Sequence, residues 1–441
     1  MGNDTYSAFE EYEILGEFFP SEELYTARFS GKICYTPEKG LQLKYNIVDT
    51  DAPDQCECLL GVLENGKSCT LVGPFDFRLS GRRLGAISTK FGTHGFPFLL
   101  IGDFFDENQL FKNCRFTFYH MQEFFYPQGR INNVAYRDDV LETIQGENWT
   151  IDLENRATGI DVTNNLSNVI MTSSEDALSE LESAFKAVKI KHPSEYFLLR
   201  KSFQYVFNYK PSSPQKAEDI SLKLNKLSSI FSMFMSSPTF PDEMKVYYDD
   251  ENKKSAWLLA SMYLESRTVK LITKEKSHFF MPINRPQIDL PNILKSWDKI
   301  YDNYEVLATT FQYETNFRTL HAAHSDIVLY STNIESIASD LGMKTLQKYE
   351  GPITHYGGDR LIAMLNIIFS KVNDDSLGVN ISNLRSEIAH VGRPKKLMKK
   401  LSIDEYIEIG HLLRLVVVSH LFVQLGIGMD KIHKYQEKLI S

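Results

Sequence analysis

A change of pattern near residue 290 constrains this chain more than any other feature. Ahead of the loop Pro282-Ile283-Asn284-Arg285-Pro286 the sequence runs in short β-rich segments. From about Pro291 onward, long stretches of 3.6-residue apolar periodicity dominate and prolines nearly vanish. A chain of 441 residues is long enough for two or three domains. The expected fold class is therefore α+β: an antiparallel β-rich N-terminal module over residues 1–290, divisible into lobes of about 1–190 and 191–290, then an all-α helical bundle over residues 291–441.

Within the first part, strand-like runs fall at Leu24 to Phe29, Leu41 to Val48, Glu57 to Leu63, Cys69 to Val72, Phe98 to Ile101 and Cys114 to Tyr119. Turn signals separate them: Pro37-Glu38-Lys39-Gly40, Asn65-Gly66 and Gly92-Thr93-His94-Gly95. Residues 121–290 are mixed, with helices expected at Glu175 to Val188 and Ala217 to Met235, an aromatic run at Tyr196 to Tyr209, and strands near Met244 to Tyr248 and Ala256 to Tyr263. Beyond the loop, periodicity predicts helices near 292–312, 315–341, 357–372, 380–392 and 402–427, and a short last one to 440.

Charge narrows the function classes. The net charge of −9 argues against a protein that wraps polyanions over its whole surface. Residues 291–441 carry seventeen basic and seventeen acidic side chains, so the acidic excess belongs to residues 1–290. The first residues lack a basic segment followed by an apolar one, and the five cysteines, at 34, 56, 58, 69 and 114, show no paired C-x-x-C spacing. These features predict reduced thiols in a cytoplasmic protein. The longest apolar stretch, Leu412 to Met429, is interrupted by Arg414, His420 and Gln424, which predicts a buried core helix and no membrane partner.

One pattern match is rejected on physical grounds. Gly61-Val62-Leu63-Glu64-Asn65-Gly66-Lys67-Ser68 fits G-x-x-x-x-G-K-S letter for letter. That motif works only if a helix begins at the lysine, so that its N-terminal amides face the phosphates. Here the lysine leads into Cys69-Thr70-Leu71-Val72-Gly73-Pro74, a β-branched run, and Asn65-Gly66 reads as a type I′ hairpin.

Arg385-Ser386-Glu387-Ile388-Ala389-His390 carries more weight. At about 100° per residue, Ile381, Leu384, Ile388 and Val391 share one sector and form a core stripe, while Arg385 and His390 leave the polar face about 140° apart. Directly after comes Gly392-Arg393-Pro394-Lys395-Lys396-Leu397-Met398-Lys399-Lys400, five basic residues in eight positions. A basic loop beside an exposed Arg/His pair suits a phosphodiester backbone, with Arg393, Lys395, Lys396, Lys399 and Lys400 as RNA-binding candidates. His321 and His324 offer no third ligand nearby and read as polar residues on a helix surface, so no metal is expected.

The segment Leu384-Arg385-Ser386-Glu387-Ile388-Ala389-His390-Val391-Gly392 resembles the HEPN ribonuclease domain, whose mark is R-x4–6-H on a late helix of a C-terminal bundle. Over nearly its whole length the chain looks like the ApeA family of bacterial anti-phage defence, through the strand Gly31-Lys32-Ile33-Cys34-Tyr35 and the hairpin Gly66-Lys67-Ser68-Cys69-Thr70-Leu71. Serine stands at 386, where asparagine is frequent in the family. The resemblance implies a metal-independent endoribonuclease with no cofactor, cutting by attack of the 2′-hydroxyl. His390 would act as acid or base, Arg385 would hold the transition-state phosphate, and Ser386 and Glu387 would support them. It implies a homodimer through the helical domain that completes the cleft, an RNA substrate, and a phage-derived trigger sensed by the N-terminal module. The alternative is a non-catalytic HEPN-like module that binds RNA, nucleotide or a protein partner.

Overall fold

The computed structural model describes residues 5–48, 53–77, 82–84, 87–126, 139–162, 166–195, 197–249, 253–344 and 347–440. The strands are Tyr12–Phe19 (β1), Phe29–Thr36 (β2), Gly40–Val48 (β3), Gln55–Leu63 (β4), Ser68–Asp76 (β5), Arg82–Leu84 (β6), Ile87–Phe96 (β7), Phe98–Ile101 (β8), Asn113–Phe118 (β9), Asp139–Gln145 (β10), Trp149–Asp161 (β11), Leu198–Pro211 (β12), Pro241–Tyr247 (β13) and Ser255–Ala260 (β14). Among the described residues they form one antiparallel sheet in the order β10-β11-β12-β9-β13-β14-β8-β5-β4-β1-β2-β3-β7-β6. A sheet this wide curls. Strands β1 to β5, with β7, β8 and β14, accordingly enclose a core of their own, centred on Phe18, Ile33, Tyr35, Leu71, Phe75 and Phe96.

Alternation explains these strands. In β3, Leu41, Leu43, Tyr45 and Ile47 point inward while the intervening residues face out, the period of two that a half-buried strand requires. The phosphate-loop look-alike is the β4–β5 hairpin, with Val62 opposite Ser68. Its turn differs from the expected I′ type: Leu63 N–H donates to the Lys67 carbonyl at 2.9 Å, leaving three loop residues, and of these only Gly66 has positive φ (+80°). That is a three-residue loop with glycine in the left-handed position. Gly61 has a packing role, since a Cβ there would sit 2.7 Å from the Phe18 ring.

Two sequence expectations fail here, and one unassigned run finds its place. Leu24 lies in a 3-10 turn, Glu22–Ala27, and the strand begins only at Phe29. Gly92 to Gly95, read as a turn, is part of β7 and pairs with Gln42 to Tyr45. The aromatic run ahead of Tyr209 is the long strand β12, paired along β11.

The helices are Met121–Phe124 (α1), Glu175–Lys191 (α2), Ala217–Met235 (α3), Ser266–Thr273 (α4), Leu290–Gln312 (α5), Leu320–Asp340 (α6), Glu350–Tyr356 (α7), Asp359–Ser370 (α8), Leu377–Ala389 (α9), Ile403–Gln424 (α10) and Met429–Leu439 (α11). From Leu290 every described element is helical, and α7 is an addition to those the periodicity predicted. Helix α10 is long and apolar enough to cross a membrane, but 72% of its apolar window is buried inside the protein.

The pattern change near residue 290 is not a cleft. Helix α3 lies between sheet and bundle, and one apolar core runs from β9, β11 and β12 through α3 into α5, α6, α8 and α10. Polar contacts cross the same seam. Trp297 of α5 donates to the Lys226 carbonyl at 2.9 Å, Tyr435 of α11 to the Met233 carbonyl at 2.8 Å, and Trp149 of β11 to Asp298 of α5 at 2.7 Å. All five cysteines are free thiols, and burial raises those of Cys56 and Cys69 to about 12.

Candidate active site

Helix α9 buries Leu377, Ile381 and Leu384, with Asn380 and Glu387 alongside, while Ile388 packs partly on the core. Val391, expected in the core stripe, is 99% exposed. The helix stops at Ala389, so residues beyond it no longer follow the 100° step. His390 is the C-cap in an extended conformation (φ −116°, ψ 116°), and its N–H donates to the Ser386 carbonyl at 3.1 Å. It is exposed because it leaves the helix end, not because it sits on a polar helix face.

Arg385 is less free than expected. Its Nη2 stands 3.5 Å from the Glu335 carboxylate of α6, and its Nε is buried without a hydrogen-bond partner. Glu335 is shared: Lys348 donates to it, and the Tyr349 hydroxyl donates at 2.7 Å. Burial works against the Glu335 carboxylate, but these donors and the Arg385 charge prevail and lower its pKa. The Arg385 guanidinium therefore already faces an anion.

Glu387 differs most from its expected supporting place. It is 6% exposed, and its carboxylate accepts the Leu397 N–H at 3.1 and 2.9 Å and the Met398 N–H at 3.0 Å. It thus clamps the basic loop to the helix. Lys395 adds a second tie, donating to the His390 carbonyl at 2.8 Å and to that of Glu387. Lys400 donates to the Val372 carbonyl at 2.6 Å. Of the five loop cations, Arg393, Lys396, Lys399 and Lys400 are exposed and Lys395 is half-buried; Lys395 and Lys400 each donate to main-chain carbonyls.

Glu387→Ala is expected to orphan the buried Leu397 N–H, at about 1–3 kcal/mol, and the partly buried Met398 N–H at less. Amide exchange at Leu397 and Met398 should accelerate markedly, and the urea midpoint should fall. Unchanged protection of those two amides would contradict the clamp.

His321 is exposed, but His324 is only half so: its ring meets the Tyr406 ring edge-on at 4.6 Å and its Nε2 is buried without a partner. Burial, then the charges of His321 and Lys395, lower the His324 pKa, which places the histidine pair beside the basic loop. Among the described residues no group of three or more His, Cys, Asp or Glu stands where it would hold a metal ion.

Sequence reasoning missed two arrangements in the bundle. Arg414 of α10 reaches Glu314 at 3.0 Å and His411 Nδ1 at 3.1 Å, while Arg318 joins Glu314 at 2.6 Å and Asp326 at 3.0 Å. His420, also on α10, meets the Tyr356 hydroxyl and the Gln424 amide, each at 2.9 Å, beside a cavity of about 460 Å³ that Tyr304, Asn333 and Asp340 help to line. In sequence both residues looked like mere interruptions of an apolar helix.

The fold and the helix-end Arg/His pair define a class: an antiparallel β-sheet followed by a helical region that carries a polar, basic-flanked motif. Residues 13–297 match the family described as ApeA N-terminal domain 1. The chain belongs to the ApeA family, whose N-terminal domain is one of anti-phage defence proteins. Comparison with curated proteins and with solved structures returns no match.

Proposed function

We propose that residues 291–441 form a HEPN ribonuclease domain and that the chain is a metal-independent endoribonuclease of abortive infection, acting in the cytoplasm. The observation that carries this reading is the exposed His390 at the end of α9, joined directly to a basic loop that Glu387 clamps in place. His390 takes the proton of the RNA 2′-hydroxyl, or delivers one to the departing 5′-oxygen. The 2′-oxygen attacks phosphorus, the P–O5′ bond breaks, and the products carry a 2′,3′-cyclic phosphate and a 5′-hydroxyl.

Arg385 stabilises the five-coordinate phosphate, whose oxygens take over the place of the Glu335 carboxylate. Arg393, Lys396 and Lys399 hold the flanking backbone. A second copy completes the cleft by C2 symmetry, and the aliphatic side chains Ile367, Val379, Val391 and Ile403, exposed on or next to α8, α9 and α10, give that copy apolar surface to cover. The N-terminal module restrains this activity until a phage-derived trigger arrives.

Purified protein should cleave RNA in the presence of EDTA and leave DNA of the same sequence intact. Failure to cut, or a requirement for added divalent metal, would contradict the proposal. The Arg385–Glu335 ion pair favours a second reading, a non-catalytic HEPN-like module that binds RNA, nucleotide or a protein partner. That reading predicts salt-dependent retention of RNA with no new ends.

A further inference from the structure

The polar contacts around Arg385 do not end with Glu335. The Tyr349 hydroxyl, which donates to Glu335 at 2.7 Å, also stands within hydrogen-bonding reach of the Arg385 guanidinium. One hydroxyl can serve both: its proton goes to the carboxylate, and its oxygen lone pairs remain for a guanidinium N–H. Arg385 of α9, Glu335 of α6 and Tyr349 at the N-terminal end of α7 thus form a triangle of side chains drawn from three helices.

Tyr349 is the fixed corner of that triangle. Its residue is 2% exposed, and its ring belongs to the main apolar core. A tyrosine has only two side-chain torsions, so a ring held in the core also fixes the position of its hydroxyl. The Lys348 ammonium lies 4.9 Å from the centre of the same ring and donates to Glu335 as well. Arg385 is the loose corner: its side chain is long, 28% exposed, and leaves Nε without a hydrogen-bond partner.

The backbone brings these residues together. Gly378 precedes Arg385 by seven residues, a spacing that returns to the same face of a helix within about 20°. A Cβ at Gly378 would stand 3.1 Å from Glu350 Cβ and 3.3 Å from the Glu350 nitrogen, so glycine lets α9 approach the start of α7 this closely. The face of α9 that carries Arg385 is therefore the face on which α7 begins, with Tyr349 next to Glu350 in the chain.

We propose that Tyr349 is a positioning residue for Arg385. Its oxygen holds one edge of the guanidinium and its proton, with Lys348, restrains Glu335, which leaves the solvent-facing edge of the fork for a phosphate of the RNA. Because two cations share one carboxylate, the cluster keeps an excess of positive charge toward that phosphate. The inference rests on the ribonuclease reading and adds to it a residue that touches neither substrate nor His390.

Tyr349→Phe removes the hydroxyl and keeps the ring. RNA cleavage should slow by about 10–10²-fold, the scale of a misplaced catalytic group, with the loss on kcat and KM for RNA unchanged. Added to Arg385→Ala, the same change should have no further effect, because the hydroxyl acts only through the guanidinium. NMR of the full chain made with isotope-labelled arginine gives a readout that needs no cleavage. Rotation of the Arg385 Nη groups, whose signal is assigned by its loss in Arg385→Ala, should be slow in the wild type and markedly faster in Tyr349→Phe. A wild type that cuts no RNA would refute the ribonuclease reading, and the NMR comparison would still decide the contact. An unchanged kcat in Tyr349→Phe, an equal loss in the Arg385→Ala background, or free Nη rotation in the wild type would overturn the assignment.

Discussion

His390→Ala is expected to slow RNA cleavage by about 10²–10⁴-fold, the span that positioned acid–base groups supply. Because His390 is exposed and packs on nothing in the core, the variant should melt with the wild type, and the loss should fall on kcat rather than on RNA retention. Arg385→Ala should cost at least about 10²-fold, as removal of a charge-stabilising donor does. It also strips Glu335 of one partner, so its melting temperature should shift slightly while Lys348 and Tyr349 still hold that carboxylate. Arg385→Lys keeps the charge without the planar fork and should recover little. Residues that act on one transition state are not additive, so the double variant should be scarcely slower than the worse single one. Wild-type rates in His390→Ala would remove His390 from the reaction.

Glu314→Ala should be the most damaging change to stability. Its carboxylate joins Arg318 and Arg414, and also accepts the Thr315 and Asn316 N–H groups at 2.9 and 2.8 Å. Burial opposes its charge, yet the two guanidiniums and these N–H groups lower its pKa below the usual carboxylate range. Removing it leaves Arg414 buried between α5 and α10 with its Nε already unpartnered. Breaking a buried pair in this way costs about 3–5 kcal/mol. The urea midpoint, read by fluorescence of Trp149, Trp257 and Trp297, should fall accordingly, and Glu314→Gln should fall between variant and wild type.

Acid should act on the same network in two windows. His411 is lowered by burial to about 4, so the unfolded chain takes its proton first and stability declines from about pH 6.5 down to 4. Glu314, with a depressed folded pKa, holds its stability above the ordinary carboxylate range and loses it as pH falls further. Asp242 runs opposite: burial raises it to about 6, so its penalty is present above that pH and relieved below it. A His411→Gln variant whose stability keeps the wild-type slope from pH 7 to pH 4 would contradict the assignment of a neutral buried His411.

Local pattern made the helices legible, and nonlocal partners hid the rest. Periodicity located α3, α5 and α10 closely, because each buries a continuous stripe. The same rule carried the α9 stripe past Ala389 to Val391, since apolar spacing does not mark where the last turn ends. Arg385 and His390 could be picked out from spacing and the basic run, but nothing local showed that Glu335, fifty residues upstream of Arg385, faces the guanidinium. Glu387 looked like one more polar residue because the N–H groups it accepts lie ten and eleven residues further on. Arg414 and Glu314, one hundred residues apart, meet only once α10 has folded against the end of α5.

The chemistry at the new 3′ ends tests the central claim most directly. RNA incubated with the protein in EDTA should yield fragments ending in 2′,3′-cyclic phosphate, ligatable only after that end is opened and removed, with 5′-hydroxyl partners, and His390→Ala should yield none. Intact RNA that is merely retained, or ends bearing a free 3′-hydroxyl and a 5′-phosphate, would contradict it.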